Sequence, residues 1–282
     1  DDKLDNCLGV KRSVVIDALR GQLPPELICT GSAFKYFEFD VSGNATAAVF
    51  ENGDREEADL YIGSDGANSA IRKLLFPEHP VSETRIKELV GLAELPDIVR
   101  QLDGKLLKTQ SPDQGLSLGL LPCNDGQVIW YMQFDCQRYD ITELSNENKK
   151  RFAIELLNGW PEPIRYVLEN TDYDRTFMWF TKDMPVLPAF HRRNIVLTGD
   201  AAHLVLPFTS QGVNSALQDA IILGMLLKDG GLLETYDDVF ATYHQCRREI
   251  LEEYHMFGKM MAGRFLDPLH YKNEDVPIPL AK

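Results

Sequence analysis

The residues best suited to chemistry lie in one stretch of the chain, from residue 194 to residue 214. Gly199 and Asp200 directly follow Ile195–Leu197, a short apolar run with the composition of a fully buried strand. Glycine lets a ligand approach the backbone closely, and here it stands beside a carboxylate where the strand ends. This combination predicts a ligand-binding site at the end of a strand.

A helix N-terminus follows the strand. Pro207 marks a turn, Ser210 is the expected N-cap, and apolar side chains recur at helical spacing from residue 213 to residue 227. The first helical turn would leave backbone amides without an intrahelical acceptor. Because a helix N-terminus is positively polarised, it binds an anion or an electron-rich carbonyl without any charged side chain.

The whole stretch resembles the second flavin-binding motif of the class A flavoprotein monooxygenases, the para-hydroxybenzoate hydroxylase family. The matching residues are Gly199, Asp200, Ala201, Ala202, His203, Gln211, Gly212, Asn214, Gln218, Asp219 and Ala220. One position departs, since Ser210 stands where the family usually has Gly. The resemblance implies that Asp200 binds the ribityl chain of the flavin and that Pro207 lies against its ring. It also implies that negative charge on the reduced ring is stabilised by the backbone amides of Gln211, Gly212, Val213 and Asn214.

A second motif lies earlier in the chain, where an apolar strand-like run leads into Asp65 and Gly66. Residues 59–72 resemble the D-G motif of the same family. The resemblance implies that Asp65, with Gly66 beside it, lies by the pyrophosphate and the approach of the nicotinamide. Ser69 would cap the following helix, and Arg72 would lock the loop or steer the anionic cofactor.

The first helix, predicted over residues 10–23, begins near Arg12. The family pattern for a helix in this place is R-x-x-L-x-x-x-L, and Arg12, Val15 and Leu19 fit it with Val for the first Leu. The resemblance implies that Arg12 contacts the ribityl or phosphate part of the flavin. The competing interpretation is a solvated arginine at a helix start.

The pattern of the family is incomplete in this chain. A family member should open with a strand, the loop G-x-G-x-x-G and a helix that holds the pyrophosphate. None of the twenty glycines has that spacing and context. We therefore expect that the glycine-rich unit is cut off or supplied separately, by an upstream segment or a second polypeptide, and that the FAD site within this chain is incomplete.

The middle of the chain changes to a strand pattern. Strand-like segments at 116–121 and 127–134 flank a turn, and one face of the second segment is large and apolar. The candidate substrate contacts are Trp130 and Met132 on that face, with Phe208 beside the flavin motif. Filling a core is the more favoured interpretation for each aromatic or Met residue of the sheet taken singly.

These elements predict an α/β protein. The resemblance implies a Rossmann-like FAD-binding domain, incomplete at its N-terminus, with an inserted antiparallel substrate-binding sheet and C-terminal helices. The expected division is 1–87 (part of the FAD-binding domain, with the D-G motif), 88–185 (the substrate sheet) and 186–282 (the rest of the FAD-binding domain, with the G-D motif and C-terminal helices). Further expected elements are strands at 27–29, 34–39, 45–50 and 175–181, helices at 146–157 and ending at 168, and one or two helices within 236–265.

Composition limits the classes of partner. The net charge of −14, without a cluster of Lys or Arg, argues against nucleic acid and against an anionic membrane surface. No apolar run is long enough to span a bilayer. The five cysteines are widely spaced and odd in number, which fits neither a disulfide framework nor a zinc site, so we expect no metal and a reducing cytoplasm.

The resemblance implies an FAD-dependent monooxygenase that uses NAD(P)H and oxygen on a small, aromatic or planar substrate. No catalytic acid or base is identified in the sequence. Two alternatives stay open: another flavin reaction on the same scaffold, such as a reductase or a halogenase, and a non-catalytic flavoprotein-like subunit that binds a partner. The missing glycine loop is compatible with the second alternative.

Overall fold

The computed structural model describes residues 10–123, 126–141, 143–228 and 235–272. Within them the helices are α1 (Arg12–Arg20), α2 (Ala70–Leu75), α3 (Pro96–Leu102), α4 (Asn146–Leu156), α5 (Ile164–Glu169), α6 (Gly212–Lys228) and α7 (Tyr236–Leu266). The strands are β1 (Phe34–Phe39), β2 (Ala45–Phe50), β3 (Arg55–Glu57), β4 (Tyr61–Gly63), β5 (Ser82–Glu94), β6 (Leu107–Gln110), β7 (Leu116–Pro122), β8 (Gln127–Asp135), β9 (Phe177–Asp183), β10 (His191–Arg192) and β11 (Ile195–Leu197). None of the helices in this part of the chain is long and apolar enough to cross a bilayer.

The chain divides into two compact units. The motif unit, Glu26–Glu83 with Lys182–Met261, contains both predicted flavin motifs. The sheet unit is Thr84–Thr181, with which residues 10–25 and 262–272 are grouped. The predicted division assigned both of these terminal segments to the FAD-binding domain, and it stays a prediction.

The sheet unit is built on a five-stranded sheet of order β6-β7-β8-β5-β9. Side chains along each strand alternate between the two faces of the sheet. The strands β7 and β8 pair antiparallel, with Leu118 opposite Met132 and Leu120 opposite Trp130. These four side chains lie on the first face and join a buried core with residues of α3, α4 and α5. The second face carries Ser117, Gly119 and Leu121 of β7 opposite Gln133, Tyr131 and Ile129 of β8.

Two aromatic rings lie flat against the sheet because each faces a glycine. A Cβ atom at Gly91 would lie 2.5 Å from the ring of Trp130, its partner on β8, and one at Gly119 would lie 2.3 Å from the ring of Tyr131. Real side chains do not tolerate such distances, so each glycine leaves room for one ring. The Trp130 ring lies on the first face and the Tyr131 ring on the second.

The motif unit contains two small sheets, the antiparallel meander β1-β2-β3 and a sheet of order β10-β11-β4. The strands β1 and β2 have the predicted bounds, whereas β3 was not predicted. Buried Asn194 connects the sheets, because its side chain exchanges 2.8 Å hydrogen bonds with the backbone of Ala45 and donates to the Asp59 carbonyl at 3.0 Å. In β4 and β11 the strands run parallel, which places their carboxyl ends at one edge.

Several sequence predictions need correction. Residues 27–29 form no strand, since a 3₁₀ turn occupies Pro25–Leu27. The thirteen-residue strand β5 and the helix α3 were not predicted, whereas the one or two helices expected within 236–265 are present as the single helix α7. The turn residues Asn124 and Asp125, and the predicted tail beyond residue 272, lie outside the described residues.

Candidate functional site

Both predicted motifs lie at the carboxyl edge of the parallel pair β4 and β11. The backbone amide of Thr198 donates to the Gly63 carbonyl at 3.0 Å, and the hydroxyls of Ser64 and Thr198 are 2.7 Å apart. Asp65 follows the first strand and Asp200 follows the second. Ligands of α/β proteins bind at the carboxyl ends of parallel strands, so the topology supports one common site for the two motifs.

The D-G loop is closed by the side chain of Asp65 itself. Its carboxylate accepts hydrogen bonds from the Ser69 hydroxyl at 2.5 Å and from the amides of Ala70 and Ile71 at 2.7 and 3.1 Å. Ser69 is the N-cap of α2, as expected, and accepts from the Arg72 amide at 2.8 Å. Asp65 therefore has a structural task, and its contact with a cofactor stays a prediction.

Arg72 joins the two motif loops. Its guanidinium donates to the carbonyls of Asp200 and Ala201 at 3.0 and 3.1 Å and to the Ala67 carbonyl at 2.6 Å. The side chain is 2% exposed, and burial lowers the pKa of its guanidinium while the charges of Asp65 and Asp200 oppose that shift. Of the two roles expected for Arg72, the contacts are those of the loop lock.

Asp219 of α6 holds the G-D loop through a hydrogen bond to its backbone. Gly199 has φ +57°, a conformation that favours glycine, and its amide donates to the Asp219 carboxylate at 2.8 Å. The same carboxylate lies 2.5 Å from Nε2 of His203 and accepts from Nε of Arg247 at 2.8 Å. Burial alone would raise the pKa of Asp219, but the hydrogen bonds from His203, Gly199 and Arg247 outweigh it and lower the pKa.

Arg247 of α7 is buried. It is 2% exposed, and besides Asp219 it donates to Gln218 at 2.7 Å and to the Ser215 hydroxyl at 3.2 Å. No local pattern in the sequence indicates these contacts, because the partners of Arg247 lie about thirty residues away on α6. A buried Arg that pairs with the last Asp of the motif fixes α6 behind the loop.

The helix after the loop begins at Gly212, not at Ser210. Ser210 is no N-cap: it has φ 53° and ψ 21°, a left-handed conformation, and ends the 3₁₀ turn Pro207–Thr209. The first hydrogen bond of the helical type runs from the Ser215 amide to the Gln211 carbonyl at 2.8 Å. The Gln211 amide donates to the Thr209 hydroxyl at 3.3 Å. The amides that precede the first helical bond are those of Gly212, Val213 and Asn214.

The other side chains predicted to contact flavin or substrate in this stretch differ in exposure. Asp200 is exposed, and no hydrogen bond reaches its carboxylate from the described part of the chain. Pro207 is exposed, and Phe208 is half-buried. The Asp200 carboxylate thus accepts no hydrogen bond from the described residues, and the amides of Gly212, Val213 and Asn214 have no helical acceptor. A flavin fits both groups, because it offers hydroxyls to the carboxylate and electron-rich carbonyls to the amides.

The predicted substrate contacts on the sheet have a different surrounding. Trp130 and Met132 are fully buried in the core of the sheet unit, and Nε1 of Trp130 donates to the Thr171 hydroxyl at 2.7 Å. Their large apolar side chains lie on the first face, which α4 and α5 cover, so the structure gives them a packing role. Arg12 is exposed at the start of α1 in the sheet unit, and its contact with the cofactor stays a prediction.

The described residues contain no cluster of His, Cys, Asp or Glu able to hold a metal ion. The described cysteines, Cys29, Cys123, Cys136 and Cys246, are free thiols.

Comparison with known proteins finds similarity to an FAD-binding family and to monooxygenases. The model of the family described as FAD binding domain matches residues 31–257. Monooxygenase 2 of Arabidopsis thaliana is 29% identical over 222 residues, which cover 77% of this chain and 53% of that protein. Salicylate hydroxylase of Pseudomonas putida is 26% identical over 269 residues, 82% of this chain and 58% of that protein. The chain thus spans about half the length of the curated relatives it matches.

A solved structure has the same fold. HpxO of Klebsiella pneumoniae, complexed with FAD and uric acid, superposes with a TM-score of 0.78 at 18% identity, over 91% of this chain and 64% of that one. The α/β fold class is confirmed by this likeness. Because the family model covers most of the chain, including both motif loops, the chain belongs to the FAD binding domain family.

Proposed function

We propose that the whole protein is an FAD-dependent monooxygenase that uses NAD(P)H and oxygen on a small aromatic or planar substrate. The observation that carries the proposal is the edge of the parallel pair, where the loop that Arg72 locks brings the exposed Asp200 carboxylate close to the first residue of α6. The relatives support the oxygenase chemistry: one is a hydroxylase of salicylate, and the HpxO structure holds uric acid.

The described residues have separate tasks in this function. The amides of Gly212, Val213 and Asn214 stabilise negative charge without moving, since the helix holds them in place before the charge develops. Asp200 accepts hydrogen bonds from cofactor hydroxyls, and Pro207 offers an apolar surface to the ring. Bound FAD would supply the transfer of electrons from NAD(P)H to oxygen. No described residue is assigned as an acid or base at this edge.

We further propose that a segment outside this chain completes the FAD site. Two phosphates need several convergent amides, and the two motif loops offer too few. Two surfaces of the motif unit support such a segment. Among the described strands β4 is an edge strand, with Ile62 47% exposed. Along α6 a stripe of side chains four residues apart is exposed: Val213, Leu217, Ile221 and Met225. A strand followed by a glycine-rich loop and a helix would pair with the first surface and cover the second.

The partner set in this proposal is therefore a small-molecule substrate and either an upstream segment or a separate chain that bears the glycine loop. Nucleic acid and membranes are not among the proposed partners. The cytoplasmic location predicted from the spacing of the cysteines belongs to the same proposal, and the free thiols among the described cysteines support it.

The test measures FAD content by visible absorbance after gel filtration, for this chain alone and for the protein with its glycine-rich unit. The complete protein should carry FAD, and this chain alone should bind it poorly. Asp200→Ala in the complete protein should lose most of the flavin, because a hydroxyl of the cofactor loses a charged acceptor worth about 1.5–3 kcal/mol.

Asp59→Ala is the matched control, since Asp59 is exposed just before β4, at the opposite end of the same strand pair. It should retain a full complement of FAD. Stoichiometric FAD on this chain alone would refute the need for a further segment, and full retention by Asp200→Ala would remove the role given to Asp200.

A further inference from the structure

A cluster of polar side chains lies on the second face of the sheet unit, away from the core. We call it the Glu88 cluster. Its members come from three neighbouring strands in matching register: Glu88 of β5, Gln133 and Tyr131 of β8, and Ser117 of β7, with Lys108 of β6 beyond. No motif of the family includes them, and the sequence analysis did not identify them.

The contacts of the cluster centre on one amide. Nε2 of Gln133 donates to the Glu88 carboxylate at 2.5 Å, and Oε1 of Gln133 accepts from Nζ of Lys108 and from the Ser117 hydroxyl, both at 3.2 Å. Gln133 and Ser117 are buried, whereas Glu88 is half-buried and Lys108 is exposed. The inner groups are therefore fixed, and the half-buried Glu88 carboxylate lies at the border between them and solvent.

The second face also carries an aromatic ring, that of Tyr131, two residues along β8 from Gln133. The Tyr131 ring lies flat over Gly119, and Nζ of Lys108 is 5.9 Å from its centroid. Beyond the ring the same face continues with half-buried apolar side chains, among them Val90 and Ile129. A mostly apolar surface with a few fixed polar groups at one end is the usual composition of a small-molecule site.

The electrostatics agree with the geometry. Burial raises the pKa of the Glu88 carboxyl, opposed by the Gln133 hydrogen bond and the charge of Lys108. Burial also raises the pKa of the Tyr131 phenol, with a contribution from the Glu88 charge. The Lys108 side chain is exposed as a whole, but desolvation of its ammonium group lowers the pKa of that group, opposed by the Glu88 charge. Groups that are shifted together in this way mark a functional site more often than a solvated surface.

We infer that Glu88 is the hydrogen-bond acceptor of a ligand site on the second face, which takes a planar aromatic molecule bearing a hydroxyl or ring N–H group. Gln133 holds the carboxylate in place, and the Tyr131 ring packs against the plane of the ligand. The inference rests on the proposed function in one respect, namely that this ligand is the substrate of the oxygenase. The binding itself requires neither FAD nor NAD(P)H.

The experiment therefore omits both cofactors. The probes are 7-hydroxycoumarin and 7-methoxycoumarin, planar fluorophores of nearly equal size of which only the first has a donor hydroxyl. Both are titrated by fluorescence into the 282-residue chain. Wild type should bind the hydroxyl probe about tenfold more tightly, the value of one hydrogen bond to a charged acceptor.

Glu88→Gln should abolish that preference, and its fold is checked by its unfolding midpoint. Glu88→Asp keeps the charge but withdraws the oxygens by one methylene, and should reduce the preference. Glu94→Gln is the matched control, because Glu94 lies on the same strand and face and accepts from Gln127 at 3.2 Å, but is exposed. It should keep the full preference.

Two results would overturn the inference: no preference for the hydroxyl probe in wild type, including no binding at all, or a preference that survives in Glu88→Gln. Failure of the proposed function appears elsewhere, in the FAD content of wild type and Asp200→Ala. A protein that never binds FAD but discriminates the coumarins through Glu88 would retain this site and lose only its link to oxygenation.

Discussion

Asp219 of the motif unit and Glu88 of the sheet unit are both acidic side chains removed from solvent, but they differ in their hydrogen-bond partners and therefore in their role. Asp219 in the motif unit is fully buried and accepts from Gly199, His203 and Arg247, and its pKa is lowered. Glu88 in the sheet unit is half-buried, and its pKa is raised. Asp219 has hydrogen bonds from three protein groups and positions the G-D loop, whereas the carboxylate of Glu88 can accept a further hydrogen bond from a ligand.

The largest expected effect is the loss of folding stability when Asp219 is replaced. Asp219→Asn leaves the buried charge of Arg247 without its counter-ion, and such a loss typically destabilises by about 3–5 kcal/mol. We expect a fall of that size in the free energy of unfolding, measured by urea denaturation. Glu88→Gln, in the same assay, should change it by less than about 1 kcal/mol. Equal losses in the two variants would contradict the comparison.

Arg72 tests whether the motif unit depends on its lock. Arg72→Met keeps most of the apolar volume but leaves the buried carbonyls of Ala67 and Ala201 without a donor, at a cost of about 1–3 kcal/mol. Hydrogen exchange of the amides in both motif loops should accelerate together. Lys73→Met, at the exposed neighbouring position, should leave exchange and stability unchanged. Faster exchange in only one loop would show that Arg72 does not couple them.

The two pKa shifts predict opposite pH dependences. For Asp219 the folded pKa lies below 3.8, so its contribution to stability is present above that pH and is lost as the pH falls through the lowered value. For Glu88 the folded pKa lies above 4.5, so the folded state binds the proton more tightly, and stability falls as the pH rises through that window.

Glu88→Gln should therefore remove a small destabilisation at neutral pH and have little effect below pH 4.5. The measurement is the urea midpoint at several pH values between about 4 and 7. Glu94→Gln, at the exposed position on the same strand, should follow wild type at every pH. A variant that is less stable than wild type at neutral pH would mean that the Glu88 carboxylate stabilises the fold.

Sequence reasoning located the motif unit better than the sheet unit, for a physical reason. The motif loops are specified by local residues: Gly199 supplies a positive φ, and Ser69 caps α2 within its own turn. The family, the fold class and FAD as the family's cofactor followed from such local signals. The internal contacts of Asp219 with Arg247 did not, because a pair on two helices leaves no periodic trace.

The sheet unit depends on pairing between distant strands. β5 contains Glu, Lys, Leu and Ala, which favour helices, and becomes a strand through its register with β8. Without β5 the sequence could not place Glu88 beside Gln133. The apolar alternation of β8 is visible in the sequence, but alternation does not say which face is covered. It therefore favours Trp130 and Met132 over Tyr131 as candidate substrate contacts.

The smallest expected effect is a change in folding stability on replacing Ser210. The backbone conformation at this residue differs from that of the strands that carry the Glu88 cluster. The Glu88 cluster lies on regular strands, whereas the motif unit places a serine in the left-handed region at Ser210, where the family usually has Gly. That conformation costs an L-residue about 1–2 kcal/mol. Ser210→Gly removes this cost but adds about 0.4–1 kcal/mol of entropy to the unfolded chain. The net expectation is a stabilisation of about 0.5 kcal/mol.

The sign of this effect is what tests the loop, and two controls give it a scale. Ser13→Gly in α1, where the backbone is helical, should destabilise by about 0.5–1 kcal/mol. Arg193→Gly, at φ 56° in the turn between β10 and β11, should behave like Ser210→Gly, because it relieves the same conformation outside the site. If Ser210→Gly loses as much stability as Ser13→Gly, the loop before α6 is not left-handed at residue 210. The amides of Gly212, Val213 and Asn214 would then point elsewhere, and the site at the edge of β4 and β11 would have to be rebuilt from Asp200 alone.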